Sequence, residues 1–289
     1  MATLNTVTSS TRPASPTAGE AYFETDTNKI IVWNGTSWTE IVSDGTLSSF
    51  SNAYSLELDG TNDYVEVGSV TGFSLKGLSL WIKPDHVITY NSAGIDYVIG
   101  LGDGDEGLFL SGDLSSRLND EVIGFAGAAG NYLWGYSGQG ISISADWHHI
   151  AVTWNVSNSS TNPGNEGYDI YLDGVSVGNE YGTWGSGNGV PFTCDFVRIG
   201  ARNRGGSATY YTGGYIDEVA VFDTSLSASD ITTMYNSGVP TDITSLSPVG
   251  WWRMGDNDSG TGTTITDQGS GSNDGTLTNS PTFSSSVPS

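Results

Sequence analysis

The feature that most constrains this chain is a succession of short segments between Leu56 and Ile231 in which apolar and polar residues alternate and whose joints are Asp-Gly, Asn-Asp or Gly-Gly. In YVEV (Tyr64 to Val67) and LSLWI (Leu78 to Ile82) the alternation has the period of a strand with one buried face. Asp173-Gly174 stands between DIYL and VSV and predicts a two-residue hairpin, because a type I′ turn needs positive φ at both central positions. Glycine occupies 40 of the 289 positions, and turn signals this closely spaced favour a sandwich over any α/β architecture. Helical spacing is sustained once, from Ser227 to Asn236, with Ser227 and Asp230 as an N-cap and acidic first turn and Gly238 as the stop. The expected class is all-β with one short helix.

A chain of 289 residues holds one large sandwich and a small extra module without covalent staples. The single cysteine, Cys194, excludes an internal disulfide, leans towards folding in a reducing compartment, and is expected to be a small buried apolar residue. No apolar run approaches membrane-spanning length, so no membrane insertion is expected, and MATLNTVTSSTRPASP has neither the charged nor the apolar region of a signal peptide. With 32 acidic and 9 basic residues the net charge is -23, which repels phosphate backbones and anionic lipid and argues against nucleic acid as a partner. These carboxylates serve solubility or, where gathered in rim loops, offer oxygens to Ca²⁺.

Taken in order, SLELDGTNDYVEV, LSLWIKPD, WHHIAVTWN, DIYLDGVSVG, FVRIGARN and GGYIDEVAVFDTSLSASDI resemble the recurring phrases of the laminin-G-like, concanavalin A-type family. The resemblance implies an antiparallel jelly-roll β-sandwich, used mostly as a binding or structural module whose ligand is set by rim loops. The resulting division is an extended N-terminal arm (1–18), a small β-module (19–48), and the laminin-G-like jelly roll (49–289), whose residues 246–289 form a permuted, strand-bearing C-terminal segment. That segment, GWWRMGDNDSGTGTTITDQGSGSNDGTLTN, resembles the element that opens domains of this family, here placed last. Since domain termini usually lie close together, it completes its own sandwich, or else it begins a second domain.

GEAYFETDTNKIIVWNGTSWTEI parses as three short strands, AYFE, KIIVW and SWTEI, broken by turns at Asp26-Thr27-Asn28 and Asn34-Gly35. From Arg12 to Ile41 it resembles a small module common in tailed-phage fibre and other virion proteins, including the paired Trp33 and Trp38. Without that resemblance it reads as a generic meander held by cross-strand aromatics. Three short strands are marginal alone, so the module is expected to pack on other virion proteins or on further copies of the chain, a trimer being favoured by analogy with phage fibres.

Catalysis finds little support. Concanavalin A-like glycosidases place acidic residues at every second strand position, and no such run occurs; Asp217 and Glu218 are adjacent, which predicts opposite faces. His148 and His149 likewise fall on opposite faces, lack zinc spacing and match the family phrase "WHHVA", so a structural role is expected. For calcium, DGTND supplies Asp59, Asn62 and Asp63, and family resemblance places the strand of Asp217 beside them; alternatively the side chains only cap the turn. The D-x-D pairs Asp103/Asp105 and Asp256/Asp258 lack the remaining EF-hand positions. For a sugar, Trp134 and Tyr136 alternate with Tyr132 onto one face, and Trp184 and Tyr210, beside Tyr211, lie in Gly-rich segments; aromatic faces suit the C–H face of a pyranose. Arg202 and Arg204 form a basic island that suits an acidic glycan or an acidic neighbouring subunit, or is a solvated loop.

The expected function is that of a tailed-phage structural protein at the virion surface (fibre, appendage or capsid decoration), folded in the bacterial host cytoplasm without a signal peptide. Its lectin-like domain would adhere to host or environmental glycans without catalysis. The alternatives are a non-viral bacterial surface lectin or adhesin and, third, a glycan hydrolase.

Overall fold

The computed structural model describes residues 5–25, 27, 29–41, 50–89, 95–104, 106–111, 122–127, 132–136, 141–155, 167–178, 180–184, 191 and 193–289. It divides into two compact units, Met1–Ser51 and Asn52–Ser289.

In the first unit β2 (Ala21–Glu24), β3 (Lys29–Trp33) and β4 (Trp38–Ile41) form the expected antiparallel meander. Asp26 and Asn28 of the first turn lie outside the described residues. In the second turn the Asn34 carboxamide oxygen accepts from the backbone N–H groups of Thr36 and Ser37, a side chain standing in for a turn carbonyl. Trp33 and Trp38 sit directly opposite each other with ring centroids 5.5 Å apart, and Tyr22 meets Trp38 edge-on at 5.6 Å. The segment read as an extended arm contributes a strand instead. β1 (Asn5–Val7) pairs parallel with β2, and Arg12 forms an ion pair with the buried Glu24, so this segment closes one edge of a four-stranded sheet.

The second unit is a two-sheet sandwich. One sheet runs β15-β11-β10-β9-β8-β16-β6-β22-β21, comprising Glu180–Trp184, Tyr132–Tyr136, Ile123–Gly127, Gly107–Ser111, Ile95–Gly100, Thr193–Ile199, Tyr64–Ser74, Gly275–Thr278 and Thr264–Ile265. The other runs β14-β13-β12-β7-β19-β5-β23, comprising Val175–Gly178, Gly167–Leu172, His148–Asn155, Gly77–Pro84, Gly213–Phe222, Ser55–Asp59 and Thr282–Ser284, with β20 (Gly250–Trp252) also paired to β19. Apart from β1 with β2, the described pairings are antiparallel. This is the jelly-roll sandwich expected from the alternating pattern. The core between the sheets includes Leu80, Ile82, Val98, Phe125, Ile150, Ile170, Ile199 and Trp252.

Local signals explain the joints. Asp173 (φ 51°) and Gly174 (φ 76°) form the two-residue turn between β13 and β14. The helix α1 (Ala228–Tyr235) starts at Ser227, whose hydroxyl accepts from the Asp230 N–H while the Asp230 side chain accepts from the Ser227 N–H. It stops two residues earlier than the glycine suggested, because Asn236 itself takes the left-handed cap conformation at φ 42°.

The C-terminal segment adds strands to both sheets: β20 lies against one half of β19 while β5 occupies the other, β22 pairs with β6, and β23 with β5. Trp252 (1% exposed) and Trp251 (4%) are buried.

Candidate functional site

The outer face of the nine-stranded sheet collects aromatic residues from five adjacent strands. Leu108, Leu110, Ile123 and Phe125 belong to the core, so the alternate positions of β8 to β10 face away from it, and Tyr97, Phe109 and Ala126 form a separate apolar cluster there. Phe109 pairs with Tyr97 on one side and Gly124 on the other; Gly124 pairs with Tyr136, and Ala126 with Trp134. Further out, Trp134 lies opposite Gly182 and Tyr132 opposite Trp184. Directly opposed residues share a face, so Tyr132, Trp134, Tyr136 and Trp184 hold positions on the same face as Tyr97 and Phe109, a row about 19 Å across at ~4.8 Å per strand. Gly124 is needed in this row: a Cβ there would lie 2.3 Å from the Phe109 ring, which crosses over it.

Tyr210 closes one end. Its ring centroid is 6.1 Å from that of Tyr97, its carbonyl accepts from the Tyr97 N–H at 3.0 Å, and the residue is 47% exposed. It also holds φ at 54°, a conformation costly for a bulky L-residue and one that clusters at functional sites.

The basic island divides. Arg202 is buried: its Nε donates to the Gly104 carbonyl at 2.9 Å, and its guanidinium lies 5.6 and 5.4 Å from the Tyr97 and Tyr210 ring centroids, so it buttresses the aromatic end. Arg204 is exposed, at the end of β17 (Arg202–Arg204) in a two-stranded hairpin with β18 (Ser207–Thr209). Sequence reasoning missed Tyr97 and Phe109, because IDYVIG and GLFLS each set an aromatic among core residues with nothing to mark the outer face.

The four residues read as calcium ligands do not meet. Asp59 Oδ1 accepts the N–H groups of Thr61, Asn62 and Asp63 at 2.8, 3.0 and 3.2 Å, which holds its carboxyl below the usual range. Asp59 lies opposite Gly213 on β19, and Asp217 is four residues further along, about 13 Å at ~3.3 Å per residue. Calcium needs six to eight oxygens within about 2.6 Å, so the set read from the sequence does not form one shell. Of the other acidic pairs, Asp105 lies outside the described residues, Asp103 accepts from the Gly205 N–H, and Asp258 accepts from Thr266.

Asp217 belongs to a different cluster. The pairing of β19 with β7 shifts register between Asp217 and Ala220, and Glu218 takes φ 47°, a β-bulge. The bulge overrides the alternation that separates neighbouring side chains, so the expectation of opposite faces fails. Asp217 and Glu218 are both buried beside each other and Asp256. Arg253 Nε donates to Glu218 Oε1 at 2.9 Å, Trp251 Nε1 donates to Oε2 at 2.6 Å, and Asn52 Nδ2 donates to Asp217 at 2.9 Å. Burial pushes Glu218 up to about 7 against the opposing pull of Arg253, and burial together with Glu218 raises Asp217.

His148 and His149 do take different roles. His149 is fully buried, contacts Ser79 Oγ at 2.9 Å, and is driven down to about 4 by burial, so it is neutral at neutral pH. His148 bridges Ser144 Oγ (2.9 Å) and Asp173 Oδ2 (2.8 Å), tying the start of β12 to the hairpin turn. Cys194 is buried and its thiol is pushed up to about 12 by burial, the inert behaviour expected of it.

Residues 59–232 match the family model of the concanavalin A-like lectin/glucanases superfamily, more than half of the chain. The chain belongs to that superfamily. No curated protein matches. Among solved structures, a Bacteroides ovatus protein assigned to carbohydrate binding is similar at TM-score 0.59 and 15% identity, covering 94% of this chain and 71% of that one, which shows the shared fold. A heptameric SAP-like pentraxin from Limulus polyphemus (TM-score 0.41, 15% identity, 65% of this chain and 84% of that one) and the CBM40 of a Ruminococcus gnavus IT-sialidase bound to α2,3-sialyllactose (0.34, 13%, 64% and 100%) are more distant. Both carboxyls are buried and hydrogen-bonded, and in the aromatic row Tyr97 and Phe109 are buried while Tyr210 is exposed.

Proposed function

We propose that this protein is a structural component of a tailed-phage virion whose lectin-like sandwich adheres to a host or environmental glycan without catalysis. The observation that carries the glycan reading is the row from Tyr97 and Phe109 to the positions of Trp134, Tyr136 and Trp184, ended by Tyr210 in a left-handed conformation. Tyr97 and Phe109 are buried and support the row from beneath, Tyr210 is exposed at its end, and an apolar ring held by the sheet stacks on a pyranose with little ordering cost; Arg204, exposed on the adjoining hairpin, favours an acidic sugar. The virion reading rests on the likeness of Arg12 to Ile41 to phage fibre modules, and it assigns the first unit to attachment to other virion proteins or to further copies of the chain.

A glycan array probed with the full chain tests the binding. We expect retention of one glycan class, lost in Trp134→Ala and reduced in Tyr210→Gly, the latter keeping the backbone conformation while removing the ring. Absence of binding across the array, or binding indifferent to both substitutions, overturns the reading. Immunogold labelling of purified particles tests the virion assignment.

A further inference from the structure

We infer that the cavity between the β13–β14 turn and the C-terminal end of α1 is a second sugar-binding site, on the opposite sheet from the aromatic row. The cavity holds about 530 Å³, within the range of small-ligand sites. Its lining includes Asp173, Thr232, Thr233, Tyr235 and Asn236.

Asp173, the two threonines and Tyr235 are set in place before any ligand arrives. The Asp173 oxygens are fixed by the His149 N–H at 2.9 Å and His148 Nδ1 at 2.8 Å, and each keeps a lone pair. The threonine hydroxyls donate to the Ala228 and Ser229 carbonyls at 2.8 Å, leaving their oxygens to accept. Tyr235 is held by Trp81, ring centroids 6.0 Å apart and nearly parallel. Glycine at 174 lets the turn pack closely on the tyrosine, since a Cβ there would lie 2.9 Å from Tyr235 Cδ1.

This set selects a class of ligand. The carboxylate and the carbonyl end of a helix disfavour phosphate or sulfate. One carboxylate among several neutral donors and acceptors beside an aromatic ring matches the hydroxyls and C–H face of a neutral sugar, whereas a cationic side chain would leave the hydroxyls and amide unused. With the aromatic row on the other sheet, the chain would hold two glycan contacts on opposite faces, which raises avidity only where the glycans are dense enough to engage both.

Amide NMR shifts of the full chain test the site, titrated separately with D-glucose, D-galactose, D-mannose and N-acetyl-D-glucosamine. For at least one sugar we expect shifts at residues 173–175 and 232–237, with affinity falling about three- to tenfold in Asn236→Gly, the loss of one side-chain hydrogen bond. Asn236→Gly keeps the left-handed cap, and Thr233→Val supplies a second variant with the same expectation. Trp134→Ala should titrate at this site like the wild type, so failure of the outer-face reading leaves the result intact. The inference is overturned by an absence of shifts at these residues with all four sugars, by binding unchanged in both cavity variants, or by shifts produced there only by a lysine or arginine ester.

Discussion

Replacing Arg253 with methionine should destabilise the sandwich in a strongly pH-dependent way. The substitution keeps most of the packing volume but removes the cation that Glu218 (side chain 5% exposed) and Asp256 (3%) share. Stripping one partner from a buried ion pair costs about 3–5 kcal/mol, against a total stability of roughly 5–15. At about 2–4 °C per kcal/mol for a domain of this size, the melting temperature should fall by roughly 6–20 °C at pH 8.

The direction with pH follows from the raised carboxyls. Glu218 titrates near 7 in the fold and near 4.5 when unfolded, so between those values the native state holds a proton that the unfolded chain has released. Its contribution is therefore complete below about pH 4.5 and is lost as pH rises through 7, on the order of 3 kcal/mol. Removing Arg253 withdraws an influence that lowers Glu218, so the variant's carboxyl stays protonated to higher pH. The gap between variant and wild type should be smaller at pH 5, where Glu218 is protonated in both, and larger at pH 8, Glu218 contributing at most about 1.4 kcal/mol of the widening over the one pH unit above 7. Thermal melts from pH 5 to 8 provide the assay. Equal deficits at the two ends would refute the claim that charge burial, not packing, makes Arg253 necessary.

Three further outcomes are expected. A chain ending at Ser247 loses Trp251, Trp252 and four strands in addition to Arg253, and should aggregate or fail to melt cooperatively; unchanged stability would show that the C-terminal segment is dispensable. Trp252→Ala alone should cost about 3–5 kcal/mol by denaturant melts, since its side chain lies in the core. Because the Asp59 turn is closed by its own backbone N–H groups, melting curves with millimolar Ca²⁺ and with a chelator should coincide, and a rise with Ca²⁺ would show that the loop recruits ligands beyond Asp59, Asn62 and Asp63.

What the sequence made legible was whatever depends on local rules. Alternation in YVEV and LSLWI marked strands, Asp173-Gly174 marked a turn, and Ser227 with Asp230 marked a helix start, because each is decided within a few residues. Features decided by pairing were not legible. Asp217 and Glu218 obey alternation on paper, and only the bulge opposite β7 buries both side by side, Glu218 against Trp251 and Arg253 and Asp217 against Asn52. The aromatic positions of NYLWGY were visible, but their continuity with Tyr97 and Phe109 depends on a register running through β9 and β10. Arg202 and Arg204 looked alike, yet burial commits one to the Tyr97 and Tyr210 rings and leaves the other in solvent.

The most direct test of the glycan-binding claim is a crystal structure of the chain with the oligosaccharide that the array selects. Sugar rings should stack on the outer face between Tyr210 and Trp184, in contact with Trp134 or Tyr136. An oligosaccharide bound with that face bare would contradict it.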